Sequence, residues 1–222
     1  MMKARLGIAL FFVVGVFLSA CEETSEYPNL DLQFEFQPLE LGNFWIYRVE
    51  ETIYFGENDF ESSTYFIRDR VRSSYVNEAN ELVFIVERQK SQDQNNWTIL
   101  KDYTLFFRDN TLVRTIDNQP VVALVFPPKL GKTWNGKVYQ AGDSDEFEIE
   151  SFENNLLKVK QEEFDDKVTL RDNRFEVFEK GIGLTEKYEE VVTYCSRTEC
   201  LGNQLIDGGS QVSLTLVRHG RN

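Results

Sequence analysis

Arg174-Phe175-Glu176-Val177-Phe178-Glu179 alternates charged and apolar residues, with one break at Val177-Phe178. Successive side chains of an extended chain point to opposite faces, so this stretch reads as a strand with one dry and one wet side. The same period recurs in Phe147-Glu148-Ile149-Glu150 and in Leu32-Gln33-Phe34-Glu35-Phe36. Further strand-like runs occupy residues 45–55, 63–72, 82–88, 97–107, 111–116, 121–126, 156–160, 168–170, 184–194 and 211–217. Turn formers separate them, among them Gly56-Glu57-Asn58-Asp59, Asp93-Gln94-Asn95-Asn96, Asp109-Asn110, Asp117-Asn118 and Asn154-Asn155. No window of helical length carries an apolar stripe at i, i+3, i+4 and i+7. The expectation is an all-β fold, a single antiparallel meander forming an open or half barrel, with a closed barrel or a sandwich as the alternatives.

One internal echo cuts across these strands. Pro38-Leu39-Glu40-Leu41-Gly42-Asn43-Phe44-Trp45 and Pro127-Pro128-Lys129-Leu130-Gly131-Lys132-Thr133-Trp134 share P-x-x-L-G-x-x-W. Each reads as a proline-bent approach, a glycine free to take positive φ, and a tryptophan that opens a strand and fills the core. Two equivalent structural corners are the plainer reading, a pair of ligand-clamping indoles the functional one. The echo also allows the meander to consist of two similar halves.

The N-terminus carries its own instructions. Lys3 and Arg5 precede an apolar run over residues 6–18 that stops at small residues and an acidic stretch, which is a signal-peptide pattern too short to span a bilayer. Leu18-Ser19-Ala20-Cys21 resembles the lipobox of bacterial lipoproteins. That likeness implies a signal peptide over 1–20, cleavage before Cys21, and diacylglycerol and acyl chains on Cys21 that hold the protein to a membrane. Residues 21–36 then form the lipidated N-terminus, a tether and a candidate first strand, and 37–222 the β domain. The acidic residues after Cys21 resemble the surface-export signal of Bacteroidetes-type lipoproteins. The outer membrane is the expected location, at its surface or its periplasmic face.

Pro38-Leu39-x-Leu41-Gly42-Asn43-x-Trp45-x-Tyr47, Leu130-Gly131-x-x-Trp134 and Lys180-Gly181-Ile182-Gly183-Leu184 together resemble a broad set of uncharacterised Bacteroidetes-type lipoproteins. The resemblance implies an all-β open-barrel domain and brings no activity and no catalytic residue with it.

Charge narrows the partners. The chain has 24 basic and 37 acidic residues, and loss of Lys3 and Arg5 with the signal leaves 22 − 37 = −15, a poor match for nucleic acid or an anionic membrane. Of three cysteines, Cys195 and Cys200 remain after lipidation and are expected to pair in an oxidising compartment. A redox dithiol would favour C-x-x-C, and a zinc site would need more ligands than the distant His219 supplies. No metal, cofactor or catalytic residue is predicted. His219 is the fourth residue from the end, where chains tend to fray, and Gly181-x-Gly183 leads into a strand where phosphate binding would need a helix. Asp143-Ser144-Asp145-Glu146 lacks the length of a calcium loop, and no carboxylate pair is singled out for glycoside chemistry.

The expected function is therefore non-catalytic. One reading is a binding or carrier module whose sheet offers an apolar face to an apolar or extended ligand; the other is a structural or assembly subunit that contacts envelope proteins. An apolar cavity open to solvent would favour the first, a filled core with exposed apolar patches the second. The most distinctive contact surface is the cysteine-pinned tip, taken as residues 195–210, with Arg197, Glu199, Leu201, Leu205 and Ile206 as candidate contacts. Its apolar members either meet a partner or fold back as a lid.

Overall fold

The computed structural model describes residues 31–222. Residues 1–20, Cys21 and most of the expected tether lie outside the described residues. The domain is built from twelve strands: β1 Asn43–Gly56, β2 Asp59–Val76, β3 Leu82–Ser91, β4 Thr98–Arg108, β5 Thr111–Ile116, β6 Gln119–Val125, β7 Thr133–Asn135, β8 Glu146–Glu153, β9 Leu156–Asp165, β10 Leu170–Glu179, β11 Gly183–Tyr194 and β12 Ile206–Arg221. They form one antiparallel sheet in the order β6-β5-β4-β3-β2-β1-β12-β11-β10-β9-β8-β7. The first and last strands meet in its middle, running from Asn43↔Arg221 to Tyr54↔Gly209.

The sheet curls into a nearly closed barrel whose seam lies between β6 and β7. Among the described residues no ladder seals it, yet three hydrogen bonds stitch it. The Val122 N–H donates to Gly136 O (2.8 Å), Trp134 Nε1 to Val122 O (2.8 Å), and Gln140 Nε2 to Pro120 O (2.8 Å). The strands divide six and six, and the two copies of P-x-x-L-G-x-x-W open the first strand of each half. Gly42 and Gly131 both take positive φ (88° and 73°), and both donate their N–H to a strand carbonyl, of Val71 (2.9 Å) and Ile149 (2.8 Å). The corner reading of the echo fits this geometry. Trp45 is 4% exposed and donates Nε1 to Ile182 O (2.6 Å). Trp134, expected to be equally buried, is only half-buried, because its strand is three residues long and borders the seam.

Local chemistry accounts for most of the turns. Asp109-Asn110, Asp117-Asn118 and Asn154-Asn155 are two-residue connections with both residues at positive φ. That is the mirror-image turn whose twist suits a hairpin, and Asn and Asp tolerate it well. Between the turns, alternate residues point inward. Tyr47, Val49, Ile67, Val86, Leu112, Leu124, Ile149, Leu157, Val159 and Phe178 form one buried core. Each such aliphatic or aromatic side chain contributes about 1.5–3 kcal/mol when fully buried. Charged pairs such as Lys158 with Glu150 (2.6 Å) and Arg48 with Glu50 (2.8 Å) lie on the outside, the reverse of a lipid-facing barrel.

Two sequence expectations change here. Leu32-Gln33-Phe34-Glu35-Phe36 is not a strand. Residues Phe34–Phe36 form a 3₁₀ turn that plugs the barrel end at which the chain enters. Phe36 is fully buried with its ring edge-on to Phe152, and Phe34 packs on Phe107 and Phe126. The strand edges of β1 are already taken by β2 and β12, so burying the rings in the open end is the available alternative. Likewise residues 168 and 169 belong to a turn. The Asp166 carboxylate accepts the N–H groups of Val168 (2.9 Å), Thr169 (2.7 Å) and Leu170 (3.0 Å), so β10 starts only at Leu170.

Candidate functional site

The barrel has a near end, where residues 32–42 enter, and a far end formed by the β1–β2, β3–β4, β9–β10 and β11–β12 connections. The lumen between them is apolar toward the plug and charged in its middle. Arg88 on β3 grips Asp69 on β2 with two hydrogen bonds (Nε to Oδ1 2.8 Å, Nη2 to Oδ2 2.7 Å), and the Tyr103 hydroxyl donates to the same carboxylate (3.0 Å). Arg114 on β5 reaches across the lumen to Glu176 on β10 at 2.6 Å, and the Lys187 ammonium lies 3.8 Å from the same oxygen. Glu176 has no exposed surface. Burial pushes its carboxyl up, but the charges of Arg114 and Lys187 outweigh this and hold it below the usual carboxylate value. Burial, reinforced by the Asp69 charge, raises the Tyr47 and Tyr103 phenols and keeps them neutral.

Alternation predicts the period of β10 but not which face is wet. Glu176 and Phe178 share the inward face, whereas Phe175 lies outside, stacked on Tyr188 with ring centres 5.4 Å apart. Sequence reasoning missed this charged layer. The one hint was Arg114, the only charged residue of a strand otherwise made of aliphatic residues and threonines. A cavity of about 180 Å³ beside the layer is lined by Arg114, Lys137, Asp145, Arg174, Lys187 and Glu189 among others. It suits water or a small polar group. The apolar part of the lumen is occupied by the protein's own rings and aliphatic chains.

A second charged pair contributes to the acid response. Arg108 donates Nε and Nη2 to the two Glu81 carboxylate oxygens (2.5 and 2.7 Å), and Asn77 Nδ2 adds a bond of 2.7 Å. The hydrogen bonds from Arg108 and Asn77 pull the Glu81 carboxyl from 4.5 down to about 2. A carboxylate whose folded value is depressed stabilises the native state above its unfolded value and loses that contribution as pH falls through the folded one. Glu176, Asp93 and Asp166 are shifted in the same direction. Thermal melts are expected to hold a constant Tm from neutrality to about pH 5 and to fall progressively below it. A Tm that rises on acidification would contradict the assignment.

At the far end, Cys195 and Cys200 form a disulfide with Cα atoms 5.8 Å apart. The Cys195 N–H donates to Leu205 O (2.7 Å), and the Cys200 and Leu201 N–H groups donate to Arg197 O (3.0 and 2.8 Å), closing a compact loop. Arg197 is exposed and pairs with Asp207 (3.3 Å), and Glu199 is exposed. Leu201 is 55% exposed, which does not fit a lid folded over the barrel. Leu205 and Ile206 are half-buried and, with Tyr54 and Phe60 of the β1–β2 hairpin, line a cavity of about 250 Å³. The tip is shorter than expected, since Ile206 already pairs with Tyr194 and residues 206–210 belong to β12. Gly208 and Gly209 are therefore not loop bends. Gly209 has φ 114°, and a Cβ there would lie 2.2 Å from Val191 O, so glycine permits the close approach of β11 two residues past the bulge at Asp207.

No protein-family model matches the chain, and no curated protein matches it either. Among solved structures it is similar to a protein of Bacteroides fragilis described as exported and of YmcC-like fold. The two are 10% identical with a TM-score of 0.40, over 84% of this chain and 99% of that one.

Proposed function

We propose that this chain is a lipid-anchored, non-catalytic protein of the bacterial outer membrane that contacts other envelope proteins through the far end of its barrel. The observation that supports this reading most is geometric. Residue 32 enters at the near end, so a lipidated Cys21 would tether that end and leave the disulfide loop and the β1–β2 hairpin pointing away from the membrane. β1 alone, at 14 residues, extends roughly 45 Å. The filled lumen favours contact over carriage of an apolar ligand, while the far end exposes Ile53, Phe55, Phe60 and Leu201.

Two measurements test it. Cys21→Ser is expected to abolish metabolic labelling by a fatty acid and to release the protein from the membrane fraction; label retained in the variant would refute the anchor. Trimming residues 201–204 to a two-residue turn together with Arg197→Ser and Glu199→Ser, which keeps the Cys195–Cys200 bridge, is expected to leave the melt nearly unchanged and to abolish cross-linking to envelope proteins in intact cells. Cross-linking at the parental level would remove the tip from the functional account.

A further inference from the structure

Strand β2 is longer than its neighbour on one side. It pairs with β1 from Asp59 to Arg70, but its ladder with β3 starts only at Phe66↔Ser91. Residues 59–65 are thus held in extended conformation by β1 alone. Among the described residues none of their backbone groups makes a hydrogen bond outside that ladder. In an antiparallel pair alternate residues direct N–H and C=O away from the partner, so this segment presents a free sheet edge. Residues 59–64 are all exposed.

The side chains on this edge have a definite chemistry. Residues 49–67 contain Glu50, Glu51, Glu57, Asp59 and Glu61 and no lysine or arginine. Cations approach from outside that stretch: Arg48 pairs with Glu50, and the Lys90 ammonium caps the Tyr65 ring at 3.5 Å. Asp59 and Glu61, at the free end, make no ion pair among the described residues. The two faces differ. Phe60, 57% exposed, stands opposite Tyr54 on one face, and the Thr52 and Ser62 hydroxyls, 2.9 Å apart, belong to that face too. Glu61 and Ser63, paired with Ile53 and Glu51, belong to the other.

We propose that this edge binds, by strand addition, an extended segment of another protein that alternates basic and apolar residues. The inference rests on the far-end contact reading and supplies its chemistry. Main-chain hydrogen bonds would provide affinity, and alternate side chains would meet Phe60 on one face and the carboxylates of Asp59 and Glu61 on the other. A second copy of this chain is disfavoured as the occupant, because pairing two such edges sets the carboxylates of one against those of the other.

The test uses the full chain and three synthetic peptides, followed by fluorescence anisotropy: alternating Lys-Val, alternating Glu-Val, and Lys-Val carrying N-methyl groups on alternate amides. Lys-Val is expected to bind at least about tenfold more tightly than either of the others, a difference of about 1.4 kcal/mol. Asp59→Lys with Glu61→Lys, both exposed and expected to melt like the parent, should lose that preference. Equal binding of the N-methylated peptide would reduce the effect to charge attraction and overturn strand addition. Undiminished binding of Lys-Val to the charge-reversed variant would overturn the edge as its location. Failure here combined with loss of cross-linking on tip trimming would sink the edge and leave the far-end reading standing.

Discussion

Arg114→Met is expected to destabilise the domain by about 3–5 kcal/mol, and Glu176→Met by a similar amount, in urea denaturation followed by tryptophan fluorescence. The pair is buried and crosses the lumen between strands that are not neighbours in the sheet. Removing one partner leaves the other charge largely buried without its counter-ion, and that desolvation, rather than the loss of a contact, carries the effect. Replacing both together should restore most of the stability, since two apolar side chains of similar length leave no orphan charge. The double variant also separates two meanings of the pair. If it is as stable as the parent, the ion pair serves specificity of the half-to-half register; if it is as unstable as either single change, the lumen is too polar to accept apolar filling.

Trp45→Ala is expected to cost about 3–5 kcal/mol, the range for large core aromatics. The indole is almost wholly buried, its N–H closes a hydrogen bond to the β10–β11 turn, and Asp69 stands beside it across the β1–β2 ladder. Trp134→Ala should cost less, about 1–3 kcal/mol, because that ring keeps part of its surface in water and its strand borders the open seam. Equal losses at both positions would argue that the seam is as tightly packed as the β1–β12 junction. If both variants melted like the parent but lost a bound molecule, the corner reading would give way to a ligand clamp.

Local signals made much of this fold legible. Period-2 alternation located most of the strands, because a half-buried strand must alternate. Asp109-Asn110, Asp117-Asn118 and Asn154-Asn155 marked their hairpins, because few other residues take two successive positive φ values. The P-L-G-W echo located both corners, since glycine and a hydrogen-bonding indole are local requirements. The cysteine pair lay close enough in sequence to predict its own bridge.

The tertiary structure decided whatever depended on residues distant in sequence. The inward face of Glu176 follows from Arg114, 62 residues away, which only the curled sheet brings within 2.6 Å. Phe34 and Phe36 fill the near end because the barrel leaves an opening there and β1 has no free edge, a condition invisible in five alternating residues. Gly208 and Gly209 look like a turn until β11 is packed against them. The free edge of β2 exists because β3 stops short of it, and strand length is set by where the neighbouring chain turns away. Alternation and turn chemistry act over a few residues and are written in the sequence; which face is dry, which charge finds a partner and which edge stays open are properties of closure, and these appear only when the twelve strands meet.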